Sequence, residues 1–212
     1  MSELTAVDVL LEPDQSMLAR AGEENARMLA SIPSPPGFVL DAHHRPHITT
    51  LQRYVRTAEL DQVYAAIQDV LAAVDLRSLT FTAHAIAHLE VQPSVSIAAI
   101  VVQPGAEVLD FQTRLITALA PYIGSGGTAD AYVRTTAEPD INDATLSYIE
   151  HYVPEHSGAN YVSHVTVGLA KTDDLAPIEA EPFEPLTFAA GAVSVYQLGN
   201  NGTAAKLLHS FA

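Results

Sequence analysis

A chain of 212 residues, 48% hydrophobic, is long enough to bury a sizeable core, and its lack of cysteine excludes disulfides, thiolate catalysis and cysteine-bound zinc. Its formal net charge of −15 argues against partners such as duplex nucleic acid, because gripping a long polyanion takes a basic stripe that ten lysines and arginines do not form. No apolar run reaches the roughly eighteen residues that span a bilayer, and Met1 to Leu4 lack a basic-then-apolar leader, so a cytoplasmic protein with no membrane partner is expected.

In chain order, Val7-Asp8-Val9-Leu10-Leu11 reads as a strand stopped by Glu12-Pro13. Met17, Leu18, Ala21, Met28 and Leu29 then recur at helical spacing, and a proline-rich loop covers Ser31 to Gly37. Pro46 to Gln52 is β-branched and extended. Thr57 is placed to cap a second helix carrying Leu60, Val63, Tyr64, Ile67, Val70, Leu71 and Val74, and Leu79 to Val91 reads as a long strand.

The second half repeats this order. Val95 to Val102 is a strand stopped by Gln103-Pro104, and a helix follows from about Ala106 to Leu119, with Val108, Leu109, Leu115, Ile116 and Leu119 as its apolar positions. A long connection, 121–160, comes next and is a candidate lid. Asp140 or Asn142 is placed there to cap a helix through Leu146, Ile149 and Tyr152. Tyr161 to Leu169 is a strand, Thr172 to Leu175 a single helical turn, and Leu186 to Leu198 a strand. Gly199 to Gly202 forms a turn before a closing strand from Ala205 to Phe211. Strand, helix, strand, helix, strand thus occurs twice, which predicts an α+β fold of one domain with two similar lobes, about 1–92 and 93–212, free to exchange strands.

His47-Ile48-Thr49 and His164-Val165-Thr166 occupy matching places in the two copies. Side chains alternate along a strand, so each histidine shares a face with its threonine while Ile48 or Val165 packs behind. If the first strand runs on without a bulge, Leu51 and Arg53 continue the face of His47, which makes Arg53 a candidate phosphate ligand. A neutral imidazole can act as general base and a protonated one as general acid on the same phosphodiester, with the hydroxyls steadying its oxygens. Such chemistry requires no metal and no cofactor. One His-x-Thr alone is commonplace; two in register in a repeat are far more specific.

Pro46-His47-Ile48-Thr49-Thr50-Leu51 and Ser163-His164-Val165-Thr166-Val167-Gly168-Leu169 resemble the paired motifs of the two-histidine (2H) phosphoesterases, which include 2′-5′ RNA ligase-like proteins and 2′,3′-cyclic nucleotide phosphodiesterases. The resemblance spans essentially the whole chain, although Ser163 stands where many members have proline. It implies a bilobal, pseudo-two-fold fold with antiparallel sheets facing across a central cleft. It also implies metal-independent hydrolysis of 2′,3′-cyclic phosphates or 2′-5′ linkages, with His47 and His164 catalytic and Thr49 and Thr166 substrate-binding. The acidic composition favours a small nucleotide or short oligonucleotide as substrate, and a monomer is expected. A reversible 2′-5′ RNA ligase and a non-catalytic nucleotide-binding module are the competing readings.

Other features read more plainly. His43, His44 and His47 lack a ligand pattern for a metal, since Pro46 breaks any shared strand face. His84 or His88 could line the cleft. Gly124-Ser125-Gly126-Gly127 lacks the Lys-Ser/Thr of a phosphate-binding loop and reads as a flexible loop. Tyr132, Tyr148, Tyr152 and Tyr161, in or beside the long connection, are candidates for stacking on a base.

Overall fold

The computed structural model describes residues 3–32, 37–41, 44–136 and 139–211. Seven strands and five α-helices follow one another as β1 (Leu4–Pro13), α1 (Gln15–Ser31), β2 (Ile48–Arg56), α2 (Leu60–Leu71), β3 (Thr80–Gln92), β4 (Val95–Pro104), α3 (Ala106–Leu119), α4 (Asp143–His156), β5 (His164–Lys171), α5 (Thr172–Glu179), β6 (Leu186–Leu198) and β7 (Ala204–Phe211). All named pairings are antiparallel, and the strand order is β2-β1-β6-β3-β4-β5, with β7 beside β6.

This is the α+β arrangement expected from the repeat. β1 and β2 of the first half are completed by β6 of the second, while β4 and β5 are completed by β3 of the first. β6 joins the two sets: Leu186 to Ala189 pair with β3, and Ala190 to Gln197 pair with β1. Each half therefore supplies the third strand of the other's sheet.

The helices form because their apolar positions recur at helical spacing and have a sheet to cover. Met17, Ala21 and Met28 of α1, Val63 and Ile67 of α2, and Phe111 and Leu115 of α3 belong to one core with Val9, Leu51, Val55, Ile100 and Val165 of the sheet. Each buried Val, Leu, Ile, Phe or Met among them contributes about 1.5–3 kcal/mol over its exposed state. Phe111 anchors α3, whereas Leu109 is exposed. Gly168 admits the tip of Met28; a Cβ there would lie 2.7 Å from Met28 Cε.

Several expected boundaries move: the strand expected from Tyr161 begins at His164, and α2 ends at Leu71, short of Val74. Thr57 does not cap α2: it opens a 3-10 turn, Thr57–Glu59, and its hydroxyl lies 2.8 Å from that of Thr5. The turn expected at Thr172 to Leu175 extends to Glu179 as α5. Asn142 does cap α4, accepting from the Thr145 N–H at 2.7 Å. Much of the proline-rich loop, 33–36, and His43 lie outside the described residues. Among the described residues no helix is long and apolar enough to cross a membrane.

The long connection is a packed layer. Tyr132, Ile141 and Ile149 form a second cluster with Ala6, Tyr54 and Leu198 on the other face of the sheet. The Tyr54 and Tyr132 hydroxyls meet at 2.5 Å.

Candidate active site

Both histidines stand where a strand begins. His47 immediately precedes Ile48, the first residue of β2, and His164 opens β5. Their rings are held alike. His47 Nδ1 donates to the Arg45 carbonyl at 2.7 Å, and His164 Nδ1 donates to the Val162 carbonyl at 3.1 Å. Each acceptor lies two residues upstream. A proton committed at Nδ1 places the lone pair or second proton of each ring on Nε2, which sets the tautomer for chemistry.

The motifs are brought together from opposite halves. Tyr161, three residues ahead of His164, donates its hydroxyl to the Thr49 carbonyl at 2.7 Å. The two imidazoles are near enough for the charge of His47 to bear on His164. Burial lowers the His164 pKa from its ordinary value of 6.5, and His47 lowers it further, against a raising contribution from the Val162 carbonyl.

Each motif is followed by a β-bulge at the same place. Leu10 opposes Thr49 and Val9 opposes Leu51, so Thr50 is the extra residue on β2. Ala99 opposes Thr166 and Ala98 opposes Gly168, so Val167 is the extra residue on β5. An inserted residue inverts the alternation beyond it. The condition set on Arg53 is therefore not met: Arg53 opposes Val7, Leu51 lies in the core, and Gln52 instead shares the face of Thr49. Arg53 lies beside Glu150 in a separate cavity of about 240 Å³ lined also by Ile123, Gly124 and Ser125. Arg45 pairs with Glu12, and Arg56 pairs with Glu59 and donates to the Pro121 and Ile123 carbonyls.

Both bulges are braced by a buried amide. Gln112 of α3 donates Nε2–H to the Thr50 carbonyl at 3.0 Å and accepts from the Gly158 N–H at 2.9 Å. Asn25 of α1 donates to the carbonyls of Val167 at 2.8 Å and Phe38 at 2.9 Å and accepts from the Leu40 N–H at 3.2 Å. Each half's helix thus secures the other half's motif.

The residue most plainly missed in the sequence is Asp8. Its side chain is fully buried on the face shared by Thr49 and Gln52, which both donate to Oδ2, at 2.8 and 2.9 Å. His47 Nε2 lies 3.9 Å from the same oxygen. Burial raises the Asp8 pKa, and His47, Gln52 and Thr49 pull it back. A carboxylate inside an otherwise apolar strand was the available signal, because such groups are seldom buried without a partner. The Thr49 hydroxyl is engaged by Asp8, whereas Thr166 makes no side-chain hydrogen bond among the described residues.

Of the tyrosines, Tyr132 and Tyr152 are buried and Tyr161 is pinned to Thr49, whereas Tyr148 is 39% exposed and stacks on His156. Burial, with Asp8 nearby, pushes the Tyr148 phenol up to about 12. His88 does not line the cleft but meets Glu179 of α5 at 2.6 Å, and His84 is exposed on β3. Among the described residues no three acidic or imidazole side chains gather as a metal site.

No family model matches the chain, and no curated protein is significantly similar to it. Solved structures are. The protein TT0787 of Thermus thermophilus is 13% identical, with 98% of this chain and 97% of that one covered and a TM-score of 0.59. E. coli LigT complexed with ATP is 14% identical, with 100% and 98% covered and a TM-score of 0.47. Usb1 of Kluyveromyces marxianus is 9% identical, with 98% and 97% covered and a TM-score of 0.46. At these identities the likeness is one of fold alone.

Proposed function

We propose that this chain is a two-histidine phosphoesterase hydrolysing 2′,3′-cyclic phosphates or 2′-5′ linkages of nucleotides or short oligonucleotides. One observation carries the reading: two His-x-Thr segments from opposite halves, linked by Tyr161, each present an imidazole whose Nδ1 is tied to a backbone carbonyl two residues upstream. One ring takes a proton from water as its oxygen attacks phosphorus. The other gives a proton to the oxygen whose bond to phosphorus breaks. Thr166, with its hydroxyl uncommitted, donates to a non-bridging oxygen as charge develops. None of these steps draws on a metal.

The test is direct. Wild-type protein in EDTA is incubated with 2′,3′-cyclic mononucleotides and short 2′-5′ oligonucleotides, and products are separated chromatographically. Cleavage of either class supports the reading, and inertness toward both refutes it.

Tyr148 is the aromatic ring best placed to stack on a base. Stacking contributes about 1–3 kcal/mol per base, so Tyr148→Ala raises KM for a cyclic mononucleotide about tenfold and leaves kcat little changed. Steady-state kinetics of the variant check this.

A further inference from the structure

The two motifs match in backbone but not in surroundings. Asp8 opposes Gln52 on β1, two residues before the partner of Thr49. The corresponding position on β4 is Ile97, opposite Leu169, two residues before the partner of Thr166. A carboxyl therefore stands at this register position in the first half and a hydrocarbon at its counterpart in the second.

We propose that Asp8 is a positioning residue that makes the histidines unequal, holding His47 as the imidazolium that protonates the leaving oxygen and leaving His164 as the base. This rests on the phosphoesterase reading and adds the division of labour to it. Three observations support it. Asp8 Oδ2 accepts hydrogen bonds from two neutral donors, Thr49 and Gln52, an arrangement suited to the ionised carboxyl. Oδ1 has no hydrogen-bond partner among the described residues, and the basic group facing the buried carboxyl is the His47 ring, 3.9 Å from Oδ2. His164 has burial and a like charge beside it, both of which favour its neutral form.

The titratable groups facing Asp8 are His47 at the start of β2, Tyr148 and Tyr152 of α4, and Tyr161 ahead of β5. Burial raises the pKa of all three phenols, so they are neutral around pH 7. Facing His164, the charged neighbour is His47.

Asp8→Asn tests the assignment, since the amide nearly preserves shape and removes the charge. The rate of cyclic-nucleotide hydrolysis is followed from pH 5 to 9, and the ring C–H resonances of His47 and His164 are titrated by NMR over the same range. In wild type, the acidic limb of kcat/KM lies below 6.5, because a base with a lowered pKa stays neutral to lower pH. In the variant, the alkaline limb moves down by about one pH unit, close to tenfold in rate above it, while the acidic limb stays. The loss exceeds that seen with a p-nitrophenyl phosphodiester, whose leaving group needs less help from an acid. The His47 resonance titrates at lower pH than in wild type, and that of His164 hardly moves.

Superimposable profiles and an unmoved His47 resonance would overturn the proposal. So would a loss uniform across pH and leaving group, which marks a structural role. If wild type cleaves neither cyclic nucleotides nor 2′-5′ oligonucleotides, the phosphoesterase reading falls, and the NMR titration still decides whether Asp8 sets the charge of His47. Asp8→Glu, which keeps the charge, serves as the second variant should Asp8→Asn fail to fold, and it retains the wild-type order of the two titrations.

Discussion

Replacing either His47 or His164 by alanine lowers kcat/KM toward a 2′,3′-cyclic nucleotide by about 10²–10⁴-fold, the usual contribution of a positioned acid or base. The double variant falls little further than the worse single one, because the rings act on a single transition state and their effects are not additive. Stability changes little in either single variant, since both rings are only half-buried and neither belongs to the hydrophobic core. Thermal melting of each variant separates lost chemistry from lost fold. A histidine variant that melts like wild type and retains more than a tenth of its activity would remove that ring from the mechanism.

Gln112→Leu has the largest expected effect on stability. The substitution keeps volume on the buried face of α3 but leaves the Thr50 carbonyl and the Gly158 N–H without the partners they now have. Each orphaned polar group costs about 1–3 kcal/mol, so denaturant unfolding should show a loss of roughly 2–6 kcal/mol. Against a total stability of about 5–15 kcal/mol, the variant is marginal at physiological temperature. Because Thr50 is the bulge residue beside Thr49, and Gly158 lies in the approach to His164, activity falls in the fraction that remains folded. Asn25→Leu acts on the other bulge through Val167 and also releases the 38–40 segment. A loss below about 1 kcal/mol in Gln112→Leu would mean that water replaces the amide at both sites.

Much of this was legible in the chain. Alternation and turn residues placed β6 from Leu186 to Leu198 and α3 from Ala106 to Leu119 at their observed limits. Both rested on local patterns that the tertiary fold did not override. The bulges at Thr50 and Val167 were not legible, because an inserted residue is defined by register against a partner strand. That single fact moved Arg53 away from the face of His47 and put Gln52 there. Thr57 has the chemistry of a cap, yet its hydroxyl is taken by Thr5 across the sheet, a contact that no local pattern encodes. Gln112 and Asn25 interrupt apolar helix faces, and Asp8 interrupts an apolar strand. In each case the polar interruption of a buried pattern was the readable sign, and its meaning required the partner's backbone.

The two halves are interlocked around the candidate site. β3 and β6 each complete the sheet of the opposite half, and α1 and α3 each brace the opposite motif. Neither motif can shift without disturbing hydrogen bonds made by the other half. If the rings act as proposed, such preorganisation spares the ordering that a flexible pair would need.

The most direct measurement is a crystal structure with a nucleoside 2′- or 3′-phosphate bound. Nε2 of His47 and Nε2 of His164 should each lie about 3 Å from different oxygens on one phosphorus atom. A phosphate contacted by a single ring, or seated in the cavity beside Arg53 with both imidazoles empty, would contradict a shared catalytic centre.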